Sequence, residues 1–92
     1  MYPMPNSAQP DVLVYTTAWC PYCWRLKRQL RGAGVVFTEI DVESDTAAAA
    51  YVLSVADGNR TVPTVRIGER VLVAPDFQQV LVALSEATGH AV

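Results

Sequence analysis

Cys20 and Cys23 are the only thiols in the chain, and they stand two residues apart in Trp19-Cys20-Pro21-Tyr22-Cys23-Trp24. Thiols at that spacing do one of two kinds of chemistry: they exchange with disulfides, or they ligate a metal. Exchange needs a thiolate, and a helix N-terminus, with its unsatisfied N–H groups and positive dipole end, favours that anion. Cys20 lies at such a junction. The apolar run Val12, Leu13, Val14, Tyr15 precedes it and the basic stretch Arg25 to Arg31 follows it. Pro21 suits the first helical position, where a missing N–H costs nothing. Cys20 is therefore expected to be the nucleophile, with an accessible sulfur. Cys23, one turn into the helix, is expected to be more buried and less reactive. Zinc needs four ligands, and the chain adds only one histidine, His90. No metal is assigned. An iron–sulfur cluster bridged between two chains stays open as an alternative, as does a purely structural role for the two cysteines.

The elements that must hold these thiols follow from periodicity and punctuation. Val12 to Thr17 reads as a buried strand, and the helix opened by Pro21 runs to about Leu30, with Cys23, Leu26 and Leu30 on one face. Gly32 and Gly34 stop it. Val35 to Val42 has strand propensity. Ser44 is the expected N-cap of a second helix carrying Ala47 to Val55, ended by Asp57-Gly58-Asn59. Val62 to Ile67 is a strand interrupted at its start by Pro63. Gly68-Glu69 turns it into Val71-Leu72-Val73. Asp76 caps a last helix, with Gln79 placed for a capping box and Gly89 at its end. The order is β-α-β-α-β-β-α, an α/β fold: a mixed four-stranded sheet with helices on both faces.

At 92 residues and 51% hydrophobic, the chain is one domain able to bury a core. Residues 1–10, with three prolines, are expected to be a flexible tail, 11–89 the domain, and 90–92 a short C-terminal tail. A net charge of −2 with one local basic cluster (Arg25, Lys27, Arg28, Arg31) argues against a nucleic-acid partner. No apolar run reaches the roughly 20 residues of a membrane span. The N-terminus lacks the charged and apolar regions of a signal peptide. A cytoplasmic monomer is the expectation.

The element order, the Cys-x-x-Cys at the first strand–helix junction and Thr61-Val62-Pro63-Thr64 before the third strand resemble the thioredoxin superfamily. Cys20-Pro21-Tyr22-Cys23 is similar to the active-site tetrapeptide of dithiol glutaredoxins. Tyr15-Thr16-Thr17-Ala18-Trp19-Cys20, Arg25-Leu26-Lys27 and Gly58 to Val65 resemble mycoredoxins, the glutaredoxin-like proteins that work with mycothiol. The resemblance spans roughly residues 12 to 88. It implies a thioredoxin-like, glutaredoxin-type fold and a thiol-disulfide oxidoreductase with no bound cofactor. Its co-substrate is mycothiol, with glutathione less favoured, and its partners are mixed-disulfide proteins and an upstream thiol disulfide reductase. The implied alternative is a redoxin that passes electrons from thioredoxin reductase to a protein such as ribonucleotide reductase.

The resemblance also distributes roles. Base rates make an X-Pro bond trans, only about 5–6% being cis. The superfamily makes Val62-Pro63 cis and sets Val62 and Pro63 opposite the cysteines, with the Val62 backbone facing an incoming thiol. Trp19 and Tyr22 flank the nucleophile as substrate contacts, Trp19 partly exposed. Trp24 fits core and surface equally. Thr17 stands where many glutaredoxins carry a lysine, and Val73-Ala74-Pro75-Asp76 replaces their Gly-Gly-acidic loop. Both changes remove grips on charged glutathione. Thr17, Arg60 and Asp76 are candidate ligand contacts, Arg60 fitting a solvated loop equally well and Asp76 fitting a helix N-cap better. The basic residues of the first helix add positive field near the thiols and otherwise form a solvated face.

Overall fold

Residues 10–58 and 61–87 are described by the computed structural model. The elements are β1 (Val12–Thr16), α1 (Pro21–Gly32), β2 (Thr38–Asp41), α2 (Thr46–Val55), β3 (Thr64–Ile67), β4 (Arg70–Val73) and α3 (Phe77–Ala87). The strands form one sheet in the order β2-β1-β3-β4. β1 pairs parallel with β2 and antiparallel with β3, and β3 pairs antiparallel with β4. The anticipated mixed α/β architecture is present.

Side-chain alternation along β1 divides the core into two layers. Val12 and Val14 face one side, where Leu26 and Leu30 of α1, Val65 and Ile67 of β3, and Val80, Ala83 and Leu84 of α3 pack. Leu13 and Tyr15 face the other, against Val42 and the small residues Ala48, Ala49 and Val52 of α2. Here the Tyr15 and Tyr51 rings lie 5.2 Å apart. α1 and α3 thus cover one face and α2 the other, and both cysteines hang from the end of the central strand.

Several boundaries differ from the sequence reading. α1 runs through Gly32, and the stop falls at Gly34, whose φ of 77° is a conformation that costs glycine little. The Gly34 and Val35 N–H groups then donate back to Arg31 and Leu30. β2 begins at Thr38 rather than Val35. Its register pairs Thr38 with Leu13, so Val35 would fall opposite Pro10, which has no N–H. The N-cap of α2 is Asp45, whose carboxylate accepts from Ala48 N at 3.0 Å, and not Ser44. Asp41 explains the displacement: its side chain and carbonyl accept from the Glu43 and Ser44 N–H groups and hold both in the preceding turn. β3 starts after Pro63, and β4 starts one residue earlier than expected. The anticipated end of the last helix at Gly89, the tails over residues 1–9 and 90–92, and the loop residues Asn59 and Arg60 lie outside the described residues.

The basic face of α1 is not uniformly solvated. Lys27 is buried and bonded to Glu39 of β2, and Arg31 lies 3.7 Å from the same carboxylate with its guanidinium 5.3 Å from the Phe37 ring centroid. Lys27 therefore serves to fasten α1 to the edge strand.

The Lys27–Glu39 pair makes an asymmetric prediction. Glu39→Gln strands a buried ammonium and is expected to lower unfolding free energy by about 1–2 kcal/mol, less than for a fully buried pair because Glu39 is partly solvated. Lys27→Met removes the desolvation cost together with the charge and is expected to change stability by less than about 1 kcal/mol. Leu30→Ala, at the centre of the larger core layer, is expected to cost about 2–5 kcal/mol. Urea unfolding of the three variants reads all of these values, and a larger loss from Lys27→Met than from Glu39→Gln would refute the account of the pair.

Candidate active site

Cys20 is the N-cap of α1. Its backbone is extended, and its sulfur accepts the Cys23 N–H at 3.4 Å. That is the place of a capping oxygen, occupied here by sulfur, and it sets the thiol against the positive end of the helix. Pro21 takes the first helical position, as its ring geometry favours. The sulfur also lies 3.9 Å from the carbonyl oxygen of Val62, to which its S–H donates. Turned inward by these two contacts, Cys20 is only 5% exposed, far more covered than the accessible sulfur expected of it. Cys23 is fully buried, as anticipated. Burial pushes its thiol above the ordinary cysteine range, opposed by hydrogen bonding to the Thr16 side chain.

The Val62-Pro63 bond is cis. Antiparallel pairing of β1 with β3, which sets Tyr15 opposite Thr64, carries this loop to the thiol end of the sheet. Residues 42 apart in sequence thereby meet at Cys20 Sγ and Val62 O.

Three aromatic side chains surround the thiols on the outside: Trp19, Tyr22 and Trp24 are 67%, 74% and 62% exposed. The two indoles are held in place. Trp19 Nε1 donates to Glu43 at 2.8 Å, tying the loop after β1 to the loop after β2, and Trp24 Nε1 donates to the Ala18 carbonyl at 2.9 Å. Trp24, open between core and surface in the sequence, belongs to the surface.

A groove of about 580 Å³ lies beside the motif, a size ordinary for a small-molecule site. Tyr22, Arg25 and Gln29 form its α1 wall, Val62 and Pro63 its floor, and Ala74, Pro75, Asp76 and Gln78 the opposite wall. Of the candidate residues, Tyr22, Val62, Pro63 and Asp76 come together here. Trp19 stands outside the groove. Thr17 is buried away from it, its hydroxyl without a partner among the described residues. Arg60 lies outside the described residues. Asp76 acts as the N-cap of α3, accepting from Gln79 N at 2.8 Å, while Gln79 Oε1 accepts the Asp76 N–H at 2.9 Å. Gln29 and the loop residues Ala74 and Pro75 were not singled out as contacts. Tyr22, Arg25, Leu26 and Gln29 recur at i, i+3, i+4 and i+7, so a helical-face reading starting from Tyr22 would have found the α1 wall. Among the described residues no group of three His, Cys, Asp or Glu comes together to hold a metal, and no helix is long and apolar enough to cross a membrane.

Comparison with known proteins agrees with this geometry. The Glutaredoxin family model matches residues 12–72. A Mycobacterium tuberculosis protein named for the glutaredoxins is 43% identical over 77 residues, covering 83% of this chain and 92% of its own. Mycoredoxin 1 of Corynebacterium glutamicum is 48% identical over 59 residues, covering 64% of this chain and 72% of its own. Among solved structures, the thioredoxin-like protein BC3987 superposes with a TM-score of 0.71 at 31% identity, over 80% of this chain and all of that one. A sulfur-capped helix, a cis-proline loop against it and the extent of these matches lead to one conclusion: the chain belongs to the glutaredoxin family.

Proposed function

We propose that the protein is a thiol-disulfide oxidoreductase of mycoredoxin type, which reduces mixed disulfides between mycothiol and proteins or small thiols. One observation carries the reading: the Cys20 sulfur caps α1 and faces the backbone of the cis Val62-Pro63 loop, which floors a groove sized for a small thiol. The relative named Mycoredoxin 1 supports the choice of mycothiol. So does the replacement of a glycine loop by Ala74-Pro75-Asp76.

In the proposed reaction the Cys20 thiolate attacks the small-thiol sulfur of a mixed disulfide. A Cys20–small-thiol disulfide forms, the original S–S bond breaks, and the protein partner leaves as a thiolate that takes up a proton. A second small-thiol thiolate then attacks the adduct. It leaves as the symmetric small-thiol disulfide and regenerates Cys20, and an upstream disulfide reductase recycles the product. The helix dipole and the Cys23 N–H stabilise Cys20 whenever it carries negative charge. The Val62 backbone aligns the incoming chain, with Trp19 and Tyr22 as flanking contacts, and the reaction is assigned to the reducing cytoplasm. Cys23 is the second thiol of the site: it can displace the small thiol from the adduct, giving a Cys20–Cys23 disulfide. Burial raises the Cys23 thiol above the ordinary cysteine range, which disfavours this branch near neutral pH.

Cys20→Ser is expected to lose at least about a thousandfold in mixed-disulfide reduction, since the remaining thiol, Cys23, is fully buried. Cys23→Ser is expected to stay within about threefold of the parent with mycothiol as reductant, because the second small thiol completes turnover. The deciding assay supplies mycothiol with its reductase, glutathione with its reductase, and thioredoxin reductase in separate reactions. Turnover with mycothiol is the expected result. Turnover with thioredoxin reductase alone, lost in Cys23→Ser, would move the protein to the electron-donor redoxins.

The state of Cys23 also has a pH consequence. A thiol whose folded-state value is raised binds its proton more tightly in the native than in the unfolded chain, so its contribution to stability is present below the free-thiol range and fades as pH rises through and above it. The reduced protein is expected to lose stability above about pH 8.5. Cys23→Ala should flatten that part of a stability–pH curve, and an unchanged slope would show that Cys23 is not its source.

A further inference from the structure

The wall of the groove formed by Ala74, Pro75 and Asp76 is unusual in what it withholds. A wall of loop backbone leading into a helix ordinarily offers free N–H donors to an anion. Here three consecutive residues offer none. Ala74, held at φ 52°, donates to the Pro63 carbonyl at 2.9 Å. Pro75 has no N–H. Asp76 donates to Gln79 Oε1 at 2.9 Å, the second half of the capping box. The next donors, in the first turn of α3, lie beside the Asp76 carboxylate, which opposes a second negative charge. At the opposite wall Arg25 supplies a cation and Gln29 an amide.

From this we infer that Gln79, which does not line the groove, sets its specificity: by occupying the Asp76 N–H it closes the α3 wall to carboxylates, so that the groove takes thiols whose tail at that end is uncharged and hydroxyl-rich. The inference rests on the groove being the small-thiol site proposed above. It identifies a positioning residue, acting through Asp76 rather than on the reacting sulfur. A thiol with a carboxylate at this end loses its water shell and gains no donor in exchange, whereas a neutral polyol loses less and can use the Gln78 and Gln29 side chains.

The test separates the specificity from the activity. Gln79→Met keeps the side-chain length and removes the acceptor, Gln79→Glu keeps the acceptor, and Pro75→Ala adds an N–H by an independent route. Each 15N-labelled reduced protein is titrated with S-methylglutathione and with its dimethyl ester, following the Asp76 amide. The acid form is expected to tighten relative to the ester by about three- to tenfold in Gln79→Met and in Pro75→Ala, the size of one ordinary hydrogen bond at a partly solvated site. The Asp76 amide should shift in Gln79→Met, and Gln79→Glu, which keeps the acceptor and adds a negative charge, should show no tightening of the acid form. In turnover with glutathione, Gln79→Met should lower KM and leave kcat alone. An acid-to-ester ratio in Gln79→Met and Pro75→Ala that does not exceed the parent's would overturn the inference. If the parent turns over no small-thiol disulfide, the proposed function falls, and the titration still decides what Gln79 does.

Discussion

A sulfur atom completes the N-terminus of α1, and the other features of the site are arranged around that one contact. Helices leave their first N–H groups without partners. Most chains supply an oxygen there; this one supplies Cys20 Sγ, which accepts the Cys23 N–H. The same bond that starts the helix sets the sulfur of the proposed nucleophile against the positive end of the helix dipole. It also fixes the second thiol, because the residue three positions on must face the interior for the helix to pack.

The sheet supplies what the helix cannot. β1 is central, with β2 on one side and β3 on the other, so the loops at its carboxyl end and at the start of β3 share one edge of the molecule. Val62 and Pro63 come to Cys20 through this pairing alone. The core on both faces of β1 holds the pairing rigid: α1 and α3 clamp one side, the small-residue face of α2 the other. The pairing of buried Lys27 with Glu39 ties the helix that Cys20 caps to the edge strand, so a charge that reads as solvated in the sequence is part of the scaffold.

Around this centre the surroundings differ in kind. The outer rim is aromatic and exposed, with two indoles pinned by their N–H groups, a surface able to meet a polypeptide at low entropic cost. The groove beside it is more apolar than polar, with one cation and a wall stripped of backbone donors. On the proposed reading, the chemistry at Cys20 and the choice of small thiol are controlled by different residues.

Features that depend on neighbours a few residues apart are legible in the sequence. These include the thiol pair at a strand–helix junction, the order of the seven elements, the proline opening α1, the turn at Gly68 and the Asp76–Gln79 box, each a matter of local backbone geometry and short side-chain reach. Where a local signal competed with another, it failed by a residue or two: Asp41 took Ser44 into a turn, and Gly34 rather than Gly32 ended α1. Tertiary structure alone decided the burial of the Cys20 sulfur, the meeting of Cys20 with Val62, the pairing of Lys27 with Glu39, the exposure of Trp24 and the placing of Thr17 away from the groove. Each of these depends on which strands lie side by side and in what register. That choice is made by burying both faces of β1 at once, a property of the whole chain that no short window contains.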